Sequence, residues 1–344
     1  MRVGIVGSGL QAKRRAPILK ASPGTELVII SSAHLESAQA LATPLGCEAA
    51  VGWDWVAERD DIDAVLVCTP PDLHHAISLA ALKSGKHVLC EKPLARTLDE
   101  TNEIVAAARA SGRCFKVGFN HRHHPGMLKA RRWVDEGRIG EPTFVRCRYG
   151  ICGRPGYEQE WRADPRVVGG GQLMEQGIHA IDLARAFLGE FHEVTSVLGT
   201  LYWKTGPLED NAFVLLRTAT GRMASIHASL TQWKNLFSFE LFGKDGYVTV
   251  EGLGGSYGNE RVTFGRREFD APFAEETVEF RGADQSWKDE WHEFVGAIRE
   301  GREPLGSVED GAEAMRLVLA AYDAARRGVT VKLESWLSRV PAPV

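Results

Sequence analysis

Two rhythms of apolar residues divide the chain. In the first third, "RVGIVGSG", "TELVIISS", "DAVLVCTP" and "HVLCEKP" carry short, continuous apolar runs that predict fully buried strands. Between them, "LQAKRRAPILKAS", "HLESAQALATPLG" (closed by Gly46) and "PDLHHAISLAALKSG" repeat their apolar residues at helical spacing. Continuous strands separated by helices imply a parallel sheet covered on both faces, so residues 1–122 read as a doubly wound Rossmann α/β domain. Beyond it, "EPTFVRCRYG", "HEVTSVLGTLYW", "NAFVLLRTATGRMASIHASLTQW", "LFSFELFGKDGYVTVEG" and "RVTFG" read as strands joined by tight turns such as T-G-R and K-D-G. Amphipathic helices follow over about 287–300 and 307–326, then a short strand "VTVKL" and a Pro-rich tail expected to be loose. Residues 123–344 therefore read as an α+β domain with a large, mostly antiparallel open sheet. Such a sheet needs cover on its second face, and a homodimer or homotetramer is the expected way to supply it.

Composition narrows the ligand. The chain has 344 residues, 44% of them hydrophobic, enough for two cores. A net charge of −4 without long like-charged blocks argues against nucleic acid and against a polybasic membrane patch, and leaves small molecules as partners. The six cysteines show no paired spacing and no C-x-x-C, which fits reduced thiols in a cytoplasm rather than a disulfide framework or zinc site. No apolar run approaches the length of a membrane span.

At the first strand-to-helix turn, Gly7, Gly9 and Ala12 form G-x-G-x-x-A, with Leu10 and Gln11 between them. Missing side chains there let the backbone turn tightly and approach a pyrophosphate at the helix N-terminus, so NAD(P) is the expected cofactor. An acid that would bond the ribose of NAD is absent after the second strand, where Ser31 and Ser32 stand. Lys13, Arg14 and Arg15 follow the glycines, either as a solvated basic turn or as a site for a 2′-phosphate, which tips the balance slightly towards NADP.

The stretch "GGGQLMEQGIHAID" raises a different question. On a helical wheel Gln172, Glu175, Gln176, His179 and Asp182 share one side, and Leu173, Met174, Ile178 and Ile181 the other. Periodicity alone fits either a solvated polar face or a catalytic one. The three glycines would let the chain pass close to a ligand. In "NHRHHP" an extended reading puts His121 and His123 on one face and His124 on the other, with no acid nearby, so no metal site is expected.

Together "VGIVGSGLQAKRRAP", "CTPPDLHHAISLAALKSGKHVLCEKPLA" and "EWRADPRVVGGGQLMEQGIHAID" resemble the Gfo/Idh/MocA family of NAD(P)-dependent oxidoreductases over about residues 1–330. The resemblance implies hydride transfer between NAD(P) and a secondary alcohol or ketone of a sugar, sugar nucleotide or cyclitol. It implies that Lys92 of E-K-P, Glu175 and His179 surround the substrate carbon. It also implies that Thr69, Pro70, His74, Glu91, Lys92 and Asn120 line the cofactor, and that the Lys92–Pro93 peptide is cis. Glu175 departs from the family's aspartate by one methylene. Trp161 and Arg162 are expected to grip the substrate by stacking and charge; Arg154, Tyr157, Trp233 and Asn235 are weaker candidates. The fold also hosts redox glycosidases that retain NAD and a non-catalytic dinucleotide sensor; the presence of both Lys92 and His179 speaks against the sensor.

Overall fold

A computed structural model of the chain describes residues 1–270 and 274–337. The Pro-rich end of the tail, 338–344, lies outside the described residues. The chain forms two compact units, Met1–Asn120 with Trp287–Met315, and His121–Ser286 with Arg316–Val344.

The first unit carries six parallel strands: β1 (Arg2–Val6), β2 (Glu26–Ser32), β3 (Glu48–Val51), β4 (Ala64–Val67), β5 (His87–Cys90) and β6 (Phe115–Val117). Their order is β3-β2-β1-β4-β5-β6, so the sequence of strands reverses at β1 and β4. In doubly wound sheets a ligand crevice opens at that reversal, beyond the strand C-termini. Val3, Ile5, Leu27, Ile30, Leu66 and Leu89 from the strands pack with Ala12, Ala16 and Leu19 of the helix Leu10–Ala21. Trp291 and Phe294 complete this core, their rings 5.5 Å apart. Those two aromatics explain why the segment 287–315, expected in the second domain, belongs to the first unit: its helix hides its apolar stripe there.

The second unit is a nine-stranded sheet. Its strands are β7 (Pro142–Gly150), β8 (Phe191–Gly199), β9 (Asn211–Thr218), β10 (Met223–Ser229), β11 (Leu236–Gly243), β12 (Gly246–Glu251), β13 (Glu260–Arg266), β14 (Glu275–Phe280) and β15 (Val331–Lys332). The order is β14-β13-β12-β11-β7-β10-β9-β8-β15, and every pair is antiparallel except β7 with β10. Along β9, Ala212, Val214 and Leu216 are buried while Phe213 and Leu215 are exposed. The helix Ile178–Leu188 packs on β7 and β10. Exposed Val197, Phe213, Leu215 and Met223 sit at alternating positions of β8, β9 and β10, an apolar strip of the kind that marks an interface.

Candidate active site

In the first unit the glycine turn has two different reasons for its composition. Gly7 has φ +109°, and a Cβ there would fall 2.5 Å from the Cys68 carbonyl oxygen, so the end of β1 is packed tightly against the end of β4. Gly9, by contrast, has nothing within 4 Å of its missing Cβ, and it caps the Leu10–Ala21 helix without a side chain. The first-turn amides are thus approachable from an open side. Around the turn, Gln11 Oε1, Ser31 Oγ and Thr69 Oγ1 are buried oxygens with no hydrogen-bond partner among the described residues. An open glycine face, a helix N-terminus and unsatisfied polar atoms at strand C-termini fit a dinucleotide. Ser8 Oγ donates to Ser32 Oγ at 2.8 Å, and Lys13 is exposed, while the Arg14 guanidinium stacks 4.8 Å from the centre of the Trp287 ring.

Three expected cofactor residues, Arg15, Glu91 and His74, are otherwise engaged. Arg15 does not lie on a solvated turn: it is buried, with Nε 2.6 Å from Glu91 and Nη1 2.7 Å from Glu290. Buried Lys116 adds a second cation 3.7 Å from Glu290, so two positive and two negative groups balance in the interior. Burial works against the Arg15 charge, but Glu91 and Glu290 outweigh it and hold the guanidinium more firmly protonated than usual. Its fork is therefore not offered to a 2′-phosphate, and Glu91 is its counter-ion. His74 is fully buried, with Nδ1 2.7 Å from the Pro93 carbonyl and Nε2 3.0 Å from the Thr69 carbonyl. Both ring nitrogens serve the protein, so His74 ties the Thr69–Pro70 turn to the turn after Lys92 instead of presenting a nitrogen to a ligand. Burial lowers its pKa, against the pull of the Pro93 and Thr69 carbonyls, which together favour a ring that carries both protons. Lys92 is half-buried just past β5, its peptide to Pro93 is cis, and Asn120 is buried at the end of the first segment.

In the second unit, the polar side of the stretch after Gly171 is not wet. Gln172, Gln176, His179 and Asp182 are all buried, and Glu175 is half-buried. The stretch is also not one regular helix: Leu173–Gly177 is a π turn that passes into the α-helix Ile178–Leu188. A π turn widens the ring of backbone hydrogen bonds and is frequent at functional sites. Asp182 accepts two hydrogen bonds from Arg122, at 2.8 and 2.6 Å. Glu175 is gripped by Arg162 Nε at 3.1 Å and by the Tyr157 hydroxyl at 2.9 Å, and the Gln172 amide approaches to 3.5 Å. Burial, then the Glu175 charge, raise the Tyr157 pKa, so the phenol stays protonated as a donor.

Arg162 also lies 3.5 Å from Glu160, stacks 4.3 Å from the Trp161 ring centre, and shares Glu160 with Arg154. Trp161 remains 41% exposed beside an open recess that includes Glu158, Glu160 and Asp164. Trp233 is exposed, with φ +56°, and Asn235 donates to the Ser256 carbonyl at 3.1 Å.

Two expectations about this unit change. The glycines before the π turn face protein: a Cβ on Gly170 would meet the Tyr322 hydroxyl at 2.4 Å, and one on Gly171 the Glu209 carbonyl oxygen at 2.2 Å. "NHRH" is a 3₁₀ turn rather than extended chain, and His124 does have an acid, with Nδ1 3.1 Å from Glu260. Among the described residues no cluster of His, Cys, Asp and Glu fits a metal ion. His121 instead stacks on His179, with Tyr149 edge-on to both rings. No spacing in the sequence pointed to that pairing, because the two histidines stand on different elements.

Comparison with known proteins agrees with this anatomy. Residues 1–119 match the model of the oxidoreductase family with an NAD-binding Rossmann fold, and residues 127–249 match the GFO/IDH/MocA C-terminal domain. A levoglucosan dehydrogenase from Pseudarthrobacter phenanthrenivorans is 27% identical, covering 98% of this chain and 97% of the relative. A dTDP-3,4-didehydro-2,6-dideoxy-alpha-D-glucose 3-reductase from Streptomyces violaceoruber is 34% identical, over 73% of this chain and 72% of the relative. A solved levoglucosan dehydrogenase in complex with NADH and L-sorbose superposes with a TM-score of 0.88 at 26% identity, over 97% of this chain and 98% of the other. With a cradle built for a dinucleotide, a buried polar face behind three glycines and both halves matched, the chain belongs to the GFO/IDH/MocA family of oxidoreductases.

Proposed function

We propose that the protein interconverts a secondary alcohol and a ketone on an uncharged sugar or cyclitol, with His179, Lys92 and Glu175 as the working side chains. The observation that carries this is the burial of Gln172, Gln176 and His179 on a π-turned helix, with Gln172 Oε1 and Gln176 Oε1 left without a partner among the described residues: buried acceptors of this kind are what the hydroxyls of a ligand satisfy. The bound nicotinamide supplies the hydride acceptor or donor. His179 takes the hydroxyl proton in oxidation and returns it in reduction. Lys92 stabilises the oxygen as it gains negative charge. Glu175, held by Arg162 and Tyr157, accepts a hydrogen bond from a neighbouring substrate hydroxyl.

Substrate charge follows from what the arginines already bind. Arg162 is taken by Glu175 and Glu160, and Arg154 by Glu160, so neither is left to pair with a phosphate or carboxylate. Gln172 Oε1 and Gln176 Oε1 are buried acceptors with no partner among the described residues. Acceptors suit hydroxyl donors and repel phosphate oxygens. This supports an unphosphorylated polyol over a sugar nucleotide. NADP is the better cofactor on this reading, with Lys13 and Ser32 near its 2′-phosphate.

The test is to incubate the purified chain with NAD and with NADP against neutral sugars, cyclitols, sugar phosphates and nucleotide sugars, following nicotinamide absorbance. Turnover of neutral polyols alone is expected. Preference for a phosphorylated or nucleotide-linked sugar overturns the charge argument. Glycoside cleavage without net cofactor reduction would indicate a redox glycosidase instead.

A further inference from the structure

Helices begin with amides that have no acceptor of their own, and a local Ser, Thr, Asp or Asn usually supplies one. The helix bearing Glu175 and His179 has no such cap: Gln172, at its N-cap position, makes no side-chain capping bond. One residue from a distant part of the sequence serves instead. The Glu209 carboxylate accepts from the Gly171 amide at 3.2 Å and from the Leu173 amide at 2.9 Å, and the Glu209 carbonyl accepts from the Gln172 amide at 3.1 Å. Three successive amides are thus satisfied by a single glutamate. Tyr322 closes the arrangement: its hydroxyl donates to Glu209 Oε1 at 2.8 Å and accepts from the Gly171 amide at 3.0 Å.

The approach is possible only because Gly170 and Gly171 lack side chains, since either Cβ would collide with Tyr322 or Glu209. Glu209 is itself immobilised. Its neighbour Asp210 accepts from the amides of Leu201, Tyr202 and Trp203 at 2.7, 2.8 and 2.9 Å, and the next residue begins β9. Burial, then the Glu209 charge, raise the Tyr322 pKa, so its hydroxyl keeps the proton it donates. A flat amphipathic helix would need none of this. The π turn between Gln172 and Ile178 does, because its start must be pinned if Glu175 and His179 are to leave the helix in fixed directions.

We propose that Glu209, with Tyr322, is a positioning residue of the reaction: it holds the start of the π turn and thereby sets the orientation of Glu175 and His179. The proposal rests on the reading of His179 as the proton-transfer group. A substitution in the clamp therefore acts on the chemical step through His179 and Glu175 and leaves the separate Rossmann unit, and with it cofactor affinity, untouched.

The experiment uses the full chain and its best neutral substrate, with Glu209→Gln, Tyr322→Phe and His179→Ala, singly and combined, and with folding checked by circular dichroism. Tyr322→Phe changes one atom and keeps the ring; Glu209→Gln keeps the shape but turns an amide NH₂ towards the backbone donors. Each single clamp variant is expected to lower kcat by roughly ten- to a hundredfold, the scale of a small misplacement of a catalytic group. The dissociation constants of NAD and NADP, read by fluorescence titration, should change by less than about twofold. In the His179→Ala background the same clamp substitutions should lower kcat by clearly less than in the wild-type background, because one of the two groups they orient is gone. Equal losses in both backgrounds, unchanged kcat in a folded variant, or failure of both variants to fold would assign the clamp to stability alone and overturn the proposal. Near-normal kcat in His179→Ala by itself would instead overturn the reading of His179.

Discussion

The imidazole of His121 lies on that of His179 with ring centroids 3.9 Å apart and planes inclined by 22°. Tyr149 stands edge-on to His121 at 5.0 Å and in turn shares a hydrogen bond with Tyr257, with the two hydroxyl oxygens 3.2 Å apart. A ring packed on one face by another ring has lost most of its freedom about its terminal torsion. Aromatic pairs of this kind contribute about 0.5–1.5 kcal/mol beyond burial, so His121→Ala should lower kcat by roughly two- to tenfold. His121→Phe keeps a stacking face and should recover most of that loss. If Ala and Phe behave alike in steady-state kinetics, the stacking does not position His179.

Much of the Rossmann unit was legible because fully buried parallel strands leave continuous apolar runs. Two edge strands were not: β3 of that sheet is "EAAV", half-exposed, and β14, at one edge of the nine-stranded sheet, is "EETVEF", charged along one side, so neither carries a buried-strand pattern. Arg15 shows a signal that was available and outranked. It stands three residues after Ala12 and four before Leu19, on the buried face of its helix, whereas Lys13 and Arg14 face solvent. Basic character alone grouped the three. The departures at the active site have another cause. Glu209 reaches Gly171 across 38 residues, and Trp291 reaches the core of a unit whose strands end near residue 117. Such pairings come from tertiary packing and leave no trace in local spacing.

Arg15 and Lys13 make a separable pair of predictions. Removing the Arg15 guanidinium leaves Glu91 and Glu290 buried with less compensation, and breaking such a pair costs about 3–5 kcal/mol. Arg15→Ala should therefore lower the Tm strongly while leaving the ratio of NADP to NAD affinity within about threefold. Lys13→Ala should do the reverse: an almost unchanged Tm, and a loss of NADP affinity relative to NAD of roughly three- to tenfold. Thermal unfolding and cofactor titration on both variants would decide. A large shift in the affinity ratio for Arg15→Ala would return that residue to the cofactor.

The apolar strip on the second unit predicts self-association. Val197, Phe213, Leu215 and Met223 are more than half exposed, and Phe213 stacks on His227 with centroids 4.0 Å apart, which presents a flat aromatic surface. We expect a homodimer or homotetramer at micromolar concentration. Replacing Phe213 and Leu215 together by Glu should yield a monomer by light scattering, since two charges per copy would be buried without partners. A monomeric wild-type chain would show that the strip is not an interface.

Lys92, His179 and Glu175 are predicted to differ in how much they carry. Losing a preorganised charge at a developing oxyanion costs about 10²- to 10³-fold in kcat, which is expected for Lys92→Ala. His179→Ala should cost about 10²- to 10⁴-fold and flatten one limb of the pH–rate profile. Glu175→Asp restores the residue usual in the family, yet it withdraws the carboxylate by one methylene from Arg162 and Tyr157. It should lower kcat by up to about tenfold rather than raise it. A gain in activity would mean that Arg162 and Tyr157 do not set the working position of Glu175.

Glu209 gives a prediction about stability whose sign runs against the common case. Burial raises its pKa above the ordinary carboxylate value, although the Leu173 and Gly171 amides and the Tyr322 hydroxyl pull the other way. The unfolded chain titrates this group at about 4.3, and the folded chain holds the proton to higher pH. Between those two values the native state binds more protons than the unfolded state, so the stability linked to Glu209 is present in full below the unfolded pKa and is lost as pH rises through the folded one. Glu48, Glu100 and Glu293 are shifted downwards and have the opposite slope, so the wild-type profile alone would mislead. The difference between Glu209→Gln and wild type isolates the group, because every other carboxylate cancels. That difference in Tm should move in favour of the glutamine variant as pH is raised from the unfolded pKa of about 4.3 through the folded one, and stay level above it. A difference that is flat across the range would mean that Glu209 is ionised as easily in the fold as in water, and that the amides at the start of the π turn fully offset its burial.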